Sequence, residues 1–340
     1  MDIIERAELN QLCVSLGTDS LLVQGAGGNV SWKNDFELYV KASGMWLERA
    51  QSRNIFVKVN LRELRTAFCN GDYENKLSKV DSNSLRASIE TTLHALMPQT
   101  VVVHLHMIDA LVDLVKVNPE LSLSSQLPSD LKWICVDYHK PGAALAKAVE
   151  EEMALCRYIP SVIFLKNHGV VIGGKSVVEV MMLIEKLTKF LRKTTLDYLL
   201  EPLDSEEKSL VVEGFSLNSD PLVNKLAQCD ELWQRLERSW CLYPDHAVFL
   251  GGVPFMFNSL IDFSNCMKEK EITNQFVFVK GVGVFCNAEF SSTQQVQLRC
   301  YYDVLSRVEK NELLVSLKQQ EIKHLVDWDS ESYRIGLSRQ

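Results

Sequence analysis

The chain has 340 residues, 46% of them hydrophobic and 24% charged, with a formal net charge of −8. This is the composition of a soluble globular protein of one large or two smaller domains, long enough to bury a core without staples. The acidic balance argues against nucleic acid as the main partner, and the nine scattered cysteines, none in a CxxC pair, argue against a disulfide framework or zinc ribbon and for a reducing compartment.

The first segment, MDIIERAELNQLC, has helical spacing over 3–16, with Ile3, Ile4, Ala7, Leu9, Leu12 and Leu16 in one apolar stripe. Its acidic character is unlike a signal peptide. No apolar run reaches the roughly 18 residues that cross a bilayer. The expectation is a cytoplasmic protein with no membrane partner. Residues 20–44, SLLVQGAGGNVSWKNDFELYVKASG, read as strands separated by glycine-rich turns. A helix is expected over 84–98, stopped by Pro98, followed by the strand TVVVHLHMI and the helix DALVDLVKV. DLKWICVDYHKPG then gives a strand, AALAKAVEEEMALC a helix, SVIFLKNHGVVIGG a strand pair, and 175–200 a long amphipathic helix. This alternation predicts an α/β protein.

The polar, acidic stretch 203–221, near Pro202 and Pro221, reads as a linker between a first domain, 1–202, and a C-terminal α+β extension, 222–340. The extension is expected to hold a helix over 222–240, strands near 246–250 and 275–286, and a helix over 291–309. A short internal echo is visible. VIFLKNHGVVIGG and VFVKGVGVFCNAE both run strand, lysine, glycine-containing turn, strand, with a helix after each.

Chemistry concentrates in the first domain. Side chains two apart on a strand share a face, so His104 and His106 project together while Val103 and Leu105 take the other side. One buried histidine is an ordinary core residue; two on one face suggest a metal. His168, at a turn between two apolar runs and beside Gly169, is a third donor candidate. Three histidines suit a catalytic metal with one open position. A carboxylate is then wanted, and Glu90 stands in helical register with His94. Spacing alone does not choose it over Asp81 or Glu74. Gly25, Gly27 and Gly28 can expose backbone N–H groups to an anion, with Asn29, Ser31 and Ser43 as side-chain donors. GAGGNV lacks the GxGxxG spacing and precedes strand-type residues, so a dinucleotide fold is not expected.

In this order, GAGGNVS, KASG, SIETTLH, VVVHLH, the tyrosine of DYHKPG and KNHGVVIGG resemble the class II aldolase/adducin family over about residues 5–200. The resemblance implies a three-layer α/β/α core. It implies a divalent metal, usually Zn2+, on His104, His106 and His168, with Glu90 as acid/base and Tyr138 as proton donor. It places substrate phosphate against Gly28, Asn29, Ser43, Gly44 and Ser88, with Lys41 adding a positive charge. Ile89 stands where many relatives carry a second serine. The segments YPDHAVFLGG, VFVKGVGVF and YRIGLSRQ look like the aldolase portion of rhamnulose-phosphate aldolase/dehydrogenase fusion proteins. The implied activity is reversible carbon–carbon cleavage of a phosphorylated or otherwise anionic ketose through an enediolate, with Glu90 raised in pKa by an apolar setting. The alternatives are decarboxylation or epimerisation on the same metal, or an adducin-like scaffold without catalysis. A sugar phosphate or sugar acid is the expected partner, and the family assembles as tetramers, so a homo-oligomer is expected.

Overall fold

A computed structural model of the chain describes residues 1–74, 85–196, 212–269, 274–328 and 336. Helix α1 (Ile3–Gly17) opens on a capping box in which Asp2 and Glu5 satisfy each other's backbone N–H. Strands β1 (Asn29–Lys33), β2 (Glu37–Lys41) and β3 (Phe56–Asn60) form an antiparallel meander, and helix α2 (Leu61–Cys69) starts from the Asn60 side chain. Helix α3 (Thr91–Leu96) leads into β4 (Val101–Leu105), followed by α4 (Ile108–Leu114) and α5 (Pro119–Gln126). Strand β5 (Trp133–Val136), helix α6 (Ala143–Leu155), the hairpin β6 (Val162–Leu165) and β7 (Gly169–Gly174), and helix α7 (Val177–Leu191) complete this part.

The seven strands lie in the order β3-β2-β1-β4-β7-β6-β5, antiparallel except for β5 beside β6. Alternate residues of the central strands enter different cores. Val103, Leu105, Phe164 and Val170 pack with Leu9 and Leu12 of α1 and Ile184 of α7. Val102, Ile163, Leu165 and Val171 pack with Leu93 of α3 and Leu145 and Val149 of α6. The sheet is therefore covered on both faces, a three-layer α/β/α arrangement, and its strands read as nearly continuous apolar runs for that reason. His104 shares the parity of Val102 and so points toward the α3–α6 layer.

A second sheet follows. Its elements are β8 (Phe215–Leu217), α8 (Pro221–Gln228), α9 (Asp230–Arg238), α10 (Pro244–Leu250), β9 (Met256–Phe257), α11 (Leu260–Glu269), β10 (Phe276–Val279), β11 (Gly283–Asn287), α12 (Ser292–Leu305) and α13 (Gln319–Val326). The order β8-β11-β10-β9 repeats β4-β7-β6-β5 in sequence and in sense: two antiparallel pairs, then a parallel one. The hairpin turns match too. Leu165 pairs with Gly169 and Val279 with Gly283, and in each turn one residue is left-handed, Asn167 (φ 53°) and Gly281 (φ 73°). The short echo in the sequence thus extends to half a sheet, with Val282 standing where the first copy has His168. The two parts share a core: Ile108 and Leu111 of α4 and Val115 just after it pack with Trp233, Tyr301 and Leu305 of the C-terminal part.

Several expected elements differ. The helix expected over 175–200 spans Val177–Leu191, 192–196 are not helical, and 197–200 fall outside the described residues. The helix expected over 84–98 is confined to Thr91–Leu96, because Ser88 engages its neighbours: the Glu90 N–H donates to Ser88 Oγ (3.3 Å) and the Thr91 hydroxyl to Ser88 O (2.6 Å). Ala87 instead bridges to Ala42. The strand expected near 246–250 is helix α10; a four-residue apolar run, AVFL, is compatible with either, and Pro244 at its first turn favours the helix. The helix expected over 222–240 is broken at Cys229, whose backbone is extended (φ −106°, ψ 123°). Of the expected linker, 203–211 falls outside the described residues, and its later part carries β8. The YRIGLSRQ segment falls outside them as well, except for Gly336. Among the described residues no helix is long and apolar enough to cross a membrane.

Candidate metal centre

His104 ends strand β4 and His106 follows it, while His168 sits in the β6–β7 turn on the adjacent strand pair. The turn can come this close because Gly169 lacks a side chain: a Cβ there would stand 2.4 Å from Leu105 O and 3.0 Å from His104 Nε2. One donor atom from each of the three rings lies within 4.8 Å of the others. Ring centroids are 5.1 Å apart for His104–His106, 4.7 Å for His104–His168 and 5.6 Å for His106–His168. All three are buried, and His104 Nε2 and His168 Nδ1 find no hydrogen-bond partner among the described residues. Buried polar atoms are usually paired. A cluster of imidazoles with unpaired nitrogens, and no lysine or arginine within the cluster, fits a divalent cation.

Glu90, the residue before α3, reaches both strands. Its Oε2 is 2.8 Å from His104 Nδ1 and its Oε1 is 3.4 Å from His168 Nε2. Burial alone raises the Glu90 carboxyl, but the His104 ring, by charge and hydrogen bond, and then His168 and His94 outweigh it and hold the group below the usual carboxylate range. The expectation of a raised value is corrected: the neighbouring rings, not the apolar surroundings, decide. Burial lowers His168 to about 3, with the nearby His104 acting in the same direction. His94 is lowered to about 3 by burial, and its ring accepts or donates to Ser31 Oγ at 2.7 Å. Beside it Lys33, lowered to about 7 by burial, donates to His94 O at 2.7 Å.

The His106 and His168 rings open onto a narrow cleft, with His104 fully buried behind them. Gly28, Lys41, Ser43, Gly44, Ser88, Glu90, His106 and His168 all line it, as do Gly27 and Ile89. Gly28 (φ 64°) and Gly44 (φ 73°) both need the left-handed region. The Lys41 ammonium donates to Ala26 O (2.9 Å) and Met45 O (2.7 Å), which ties the glycine loop to the ASG turn at the cleft wall. Asn29 is not in the lining; it is buried opposite His104 in the β1–β4 register, with both amide atoms unpartnered among the described residues. The structure does not bring Tyr138 to the cleft. Its ring packs against the C-terminal core, its hydroxyl is buried, and burial pushes its pKa up.

Sequence reasoning missed Pro244 and Asp245, which line the same cleft from the C-terminal part. Asp245 Oδ2 is 3.5 Å from His106 Nδ1 and 3.4 Å from Gln297 Nε2. The only signal was an acidic residue after a proline at a helix start, in YPDHAVFLGG.

Next to it, His246 is enclosed by Trp240, Tyr243 and Tyr301 at centroid distances of 4.2, 5.5 and 4.6 Å, with neither nitrogen partnered among the described residues. Burial lowers it from 6.5 to about 3. Below pH 6.5 the unfolded chain binds a proton that the folded chain refuses, so stability is full above that pH and declines as pH falls toward 3. Each such histidine costs about 2 kcal/mol at pH 5. Urea midpoints should therefore fall between pH 7 and pH 5, and His246→Phe should remove about that much of the loss. An unchanged pH slope in the variant would contradict this.

A family model described as "Class II Aldolase and Adducin N-terminal domain" matches residues 7–194. A protein of Bacillus subtilis (strain 168) described as "Uncharacterized oxidoreductase YuxG" is 27% identical over 177 residues, covering 47% of this chain and 25% of that protein. The chain thus spans about a quarter of the length of the curated relative it matches. Among solved structures, the N-terminal class II aldolase domain of a conserved protein from Thermoplasma acidophilum is 23% identical and covers 54% of this chain and 92% of that one, with a TM-score of 0.44. L-fuculose-1-phosphate aldolase from Thermus thermophilus is 16% identical, with 56% and 94% covered and a TM-score of 0.39.

Proposed function

Because the chain belongs to the class II aldolase and adducin N-terminal domain family, we propose that it is a metal-dependent lyase that cleaves or forms a carbon–carbon bond in an anionic ketose. The observation that carries this reading is the cluster of His104, His106 and His168 with the Glu90 carboxylate against two of its rings, at a donor-lined cleft that His106, His168 and Glu90 line. Breaking a carbon–carbon bond beside a carbonyl leaves negative charge on carbon. A divalent cation held by the three imidazoles, Zn2+ in this proposal because nitrogen donors suit it, supplies fixed positive charge against which the carbonyl and hydroxyl oxygens can become negative. In the cleavage direction Glu90, ionised beside its histidines, takes the proton of the hydroxyl on the carbon that becomes the aldehyde and delivers it to the carbon left negative when the bond breaks.

The cleft wall does the positioning. Gly28 offers its backbone N–H, and Ser43 and Ser88 their hydroxyls, to a phosphate or carboxylate, while the Gly27 N–H is taken up by Gln24 O; Lys41 keeps that wall in place and adds positive charge. Asn29, buried behind this wall with its amide unpaired among the described residues, follows Gly28 directly. With Tyr138 turned into the C-terminal core, no proton-transfer role is assigned to it.

The finer reading is an aldolase like the first portion of the rhamnulose-phosphate aldolase/dehydrogenase fusions. A relative that is much longer than this chain and described as an oxidoreductase is in keeping with that reading. Residues 1–202 are then the catalytic domain, 203–221 the connection and 222–340 an extension that closes the cleft, in a homo-oligomer acting on a sugar phosphate or sugar acid.

Purified protein should carry about one divalent metal per chain and release an aldehyde from phosphorylated ketoses in a metal-dependent way. Release of carbon dioxide from sugar acids instead would replace the aldolase reading with a decarboxylase. Protein that takes up no metal would end both.

A further inference from the structure

We propose that the segment Leu242–Asp245 of the C-terminal part is a built-in clamp for the metal centre, with Asp245 the positioning residue for His106. The proposal rests on the three-histidine metal reading above and adds what holds two of those histidines. In each contact the holding group lies beyond the part of the chain that matches the family model, which ends at residue 194.

The first contact is direct. The Asp245 carboxylate, buried and lining the cleft, lies 3.5 Å from His106 Nδ1. Asp245 stands outside the cluster of three histidines and contacts one of them. A carboxylate in that place, at the outer limit of hydrogen-bonding distance, favours the tautomer with the proton on Nδ1, orients the ring, and leaves Nε2 for a cation. Gln297, on α12, is 3.4 Å from the same carboxylate oxygen and holds it from behind.

The second contact works through Asn167. This residue has a left-handed backbone (φ 53°) one position before His168, in the turn that presents that ring. Its side-chain amide donates to Leu242 O at 2.9 Å and to Val315 O at 2.7 Å, both in the C-terminal part. Its own N–H donates to Leu114 O at 3.1 Å. In the repeated hairpin the equivalent left-handed residue is Gly281, which has no side chain to be clamped, and no histidine follows it. The turn shape therefore does not require the Asn167 side chain. What the amide adds is a tie between the His168 turn and the segment that also carries Asp245.

The test measures Zn2+ affinity by competition with a chromophoric chelator, on full-length apo protein, for wild type, Asp245→Asn and Asn167→Gly. His104→Ala serves as the non-binding reference. The Asp245→Asn change keeps the shape of the side chain but not its charge, and Asn167→Gly keeps the left-handed angle while removing both amide bonds. Each variant should bind Zn2+ roughly 10- to 100-fold more weakly than wild type, the usual effect of removing a ligand's outer partner. The apo Asp245→Asn protein should melt at the wild-type temperature, which separates positioning from support of the fold. The visible spectrum of the Co2+-loaded Asp245→Asn protein should also shift from that of wild type. Wild-type Zn2+ affinity in folded Asp245→Asn and Asn167→Gly overturns the clamp while leaving the metal reading intact. If Asp245→Asn fails to fold, Asn167→Gly decides. If wild-type protein binds Zn2+ no better than His104→Ala, the metal reading fails and takes the clamp with it.

Discussion

Replacing His104 or His168 by alanine should leave a folded protein without stoichiometric metal and without measurable turnover. Each ring supplies one donor atom to a cluster confined within 4.8 Å, and a centre with two imidazoles left has too few protein ligands for a tightly held catalytic ion. The loss should exceed that of an ordinary cavity, because the buried Glu90 carboxylate also loses a polar neighbour: His104 Nδ1 is 2.8 Å from it, and His168 Nε2 is 3.4 Å away. A buried carboxylate deprived of its partner is costly. Elemental analysis beside an aldehyde-release assay checks this, with circular dichroism to verify folding. Full metal content in either variant would remove that residue from the coordination set.

Glu90→Gln separates the metal from the proton. Glutamine keeps the size and can still hydrogen-bond His104, and the three imidazoles remain, so metal content should stay near one per chain. Turnover should fall by roughly two or more orders of magnitude, since positioned acid–base groups usually contribute that much. Because the carboxyl is held below its ordinary range by His104, His168 and His94, wild-type activity should not decline around the usual carboxylate pKa as pH is lowered; loss there must come from other groups or from unfolding. A rate unchanged by Glu90→Gln would exclude it as the base.

Much of this centre was legible in the sequence, for a definite reason. His104 and His106 are two apart on a strand, and strand periodicity alone puts them on one face. His168 could be found because a histidine beside a glycine between two apolar runs marks a turn, and β7 then pairs with β4 in a register that sets Val171 against His104. Glu90 was found by resemblance, and its helical register with His94 survives only as the bond from the His94 N–H to Glu90 O, since α3 begins one residue later. Its charge state was misjudged because the pKa depends on which rings surround the carboxylate, a fact of tertiary structure. Asp245 was invisible for a similar reason. It lies 139 positions after His106 in the chain, and only the packing of α12 and its neighbours against α4 carries it to the cleft. Tyr138 differs: a motif match made it a proton donor, while its ring packs against the C-terminal core, which the motif alone does not reveal.

The ladder between β1 and β4 sets Asn29 directly across from His104. Opposed residues of antiparallel strands sit roughly 4.5–5.5 Å apart between Cα atoms, and Gly27 and Gly28 immediately precede Asn29. In the aldolase reading, the gap between the anion cradle and the reacting carbon is therefore a main-chain dimension. The cleft acts as a gauge of how many carbons separate the substrate's charge from its carbonyl. Changing side chains along it would retune the chemistry, but the length it accepts would follow the strands.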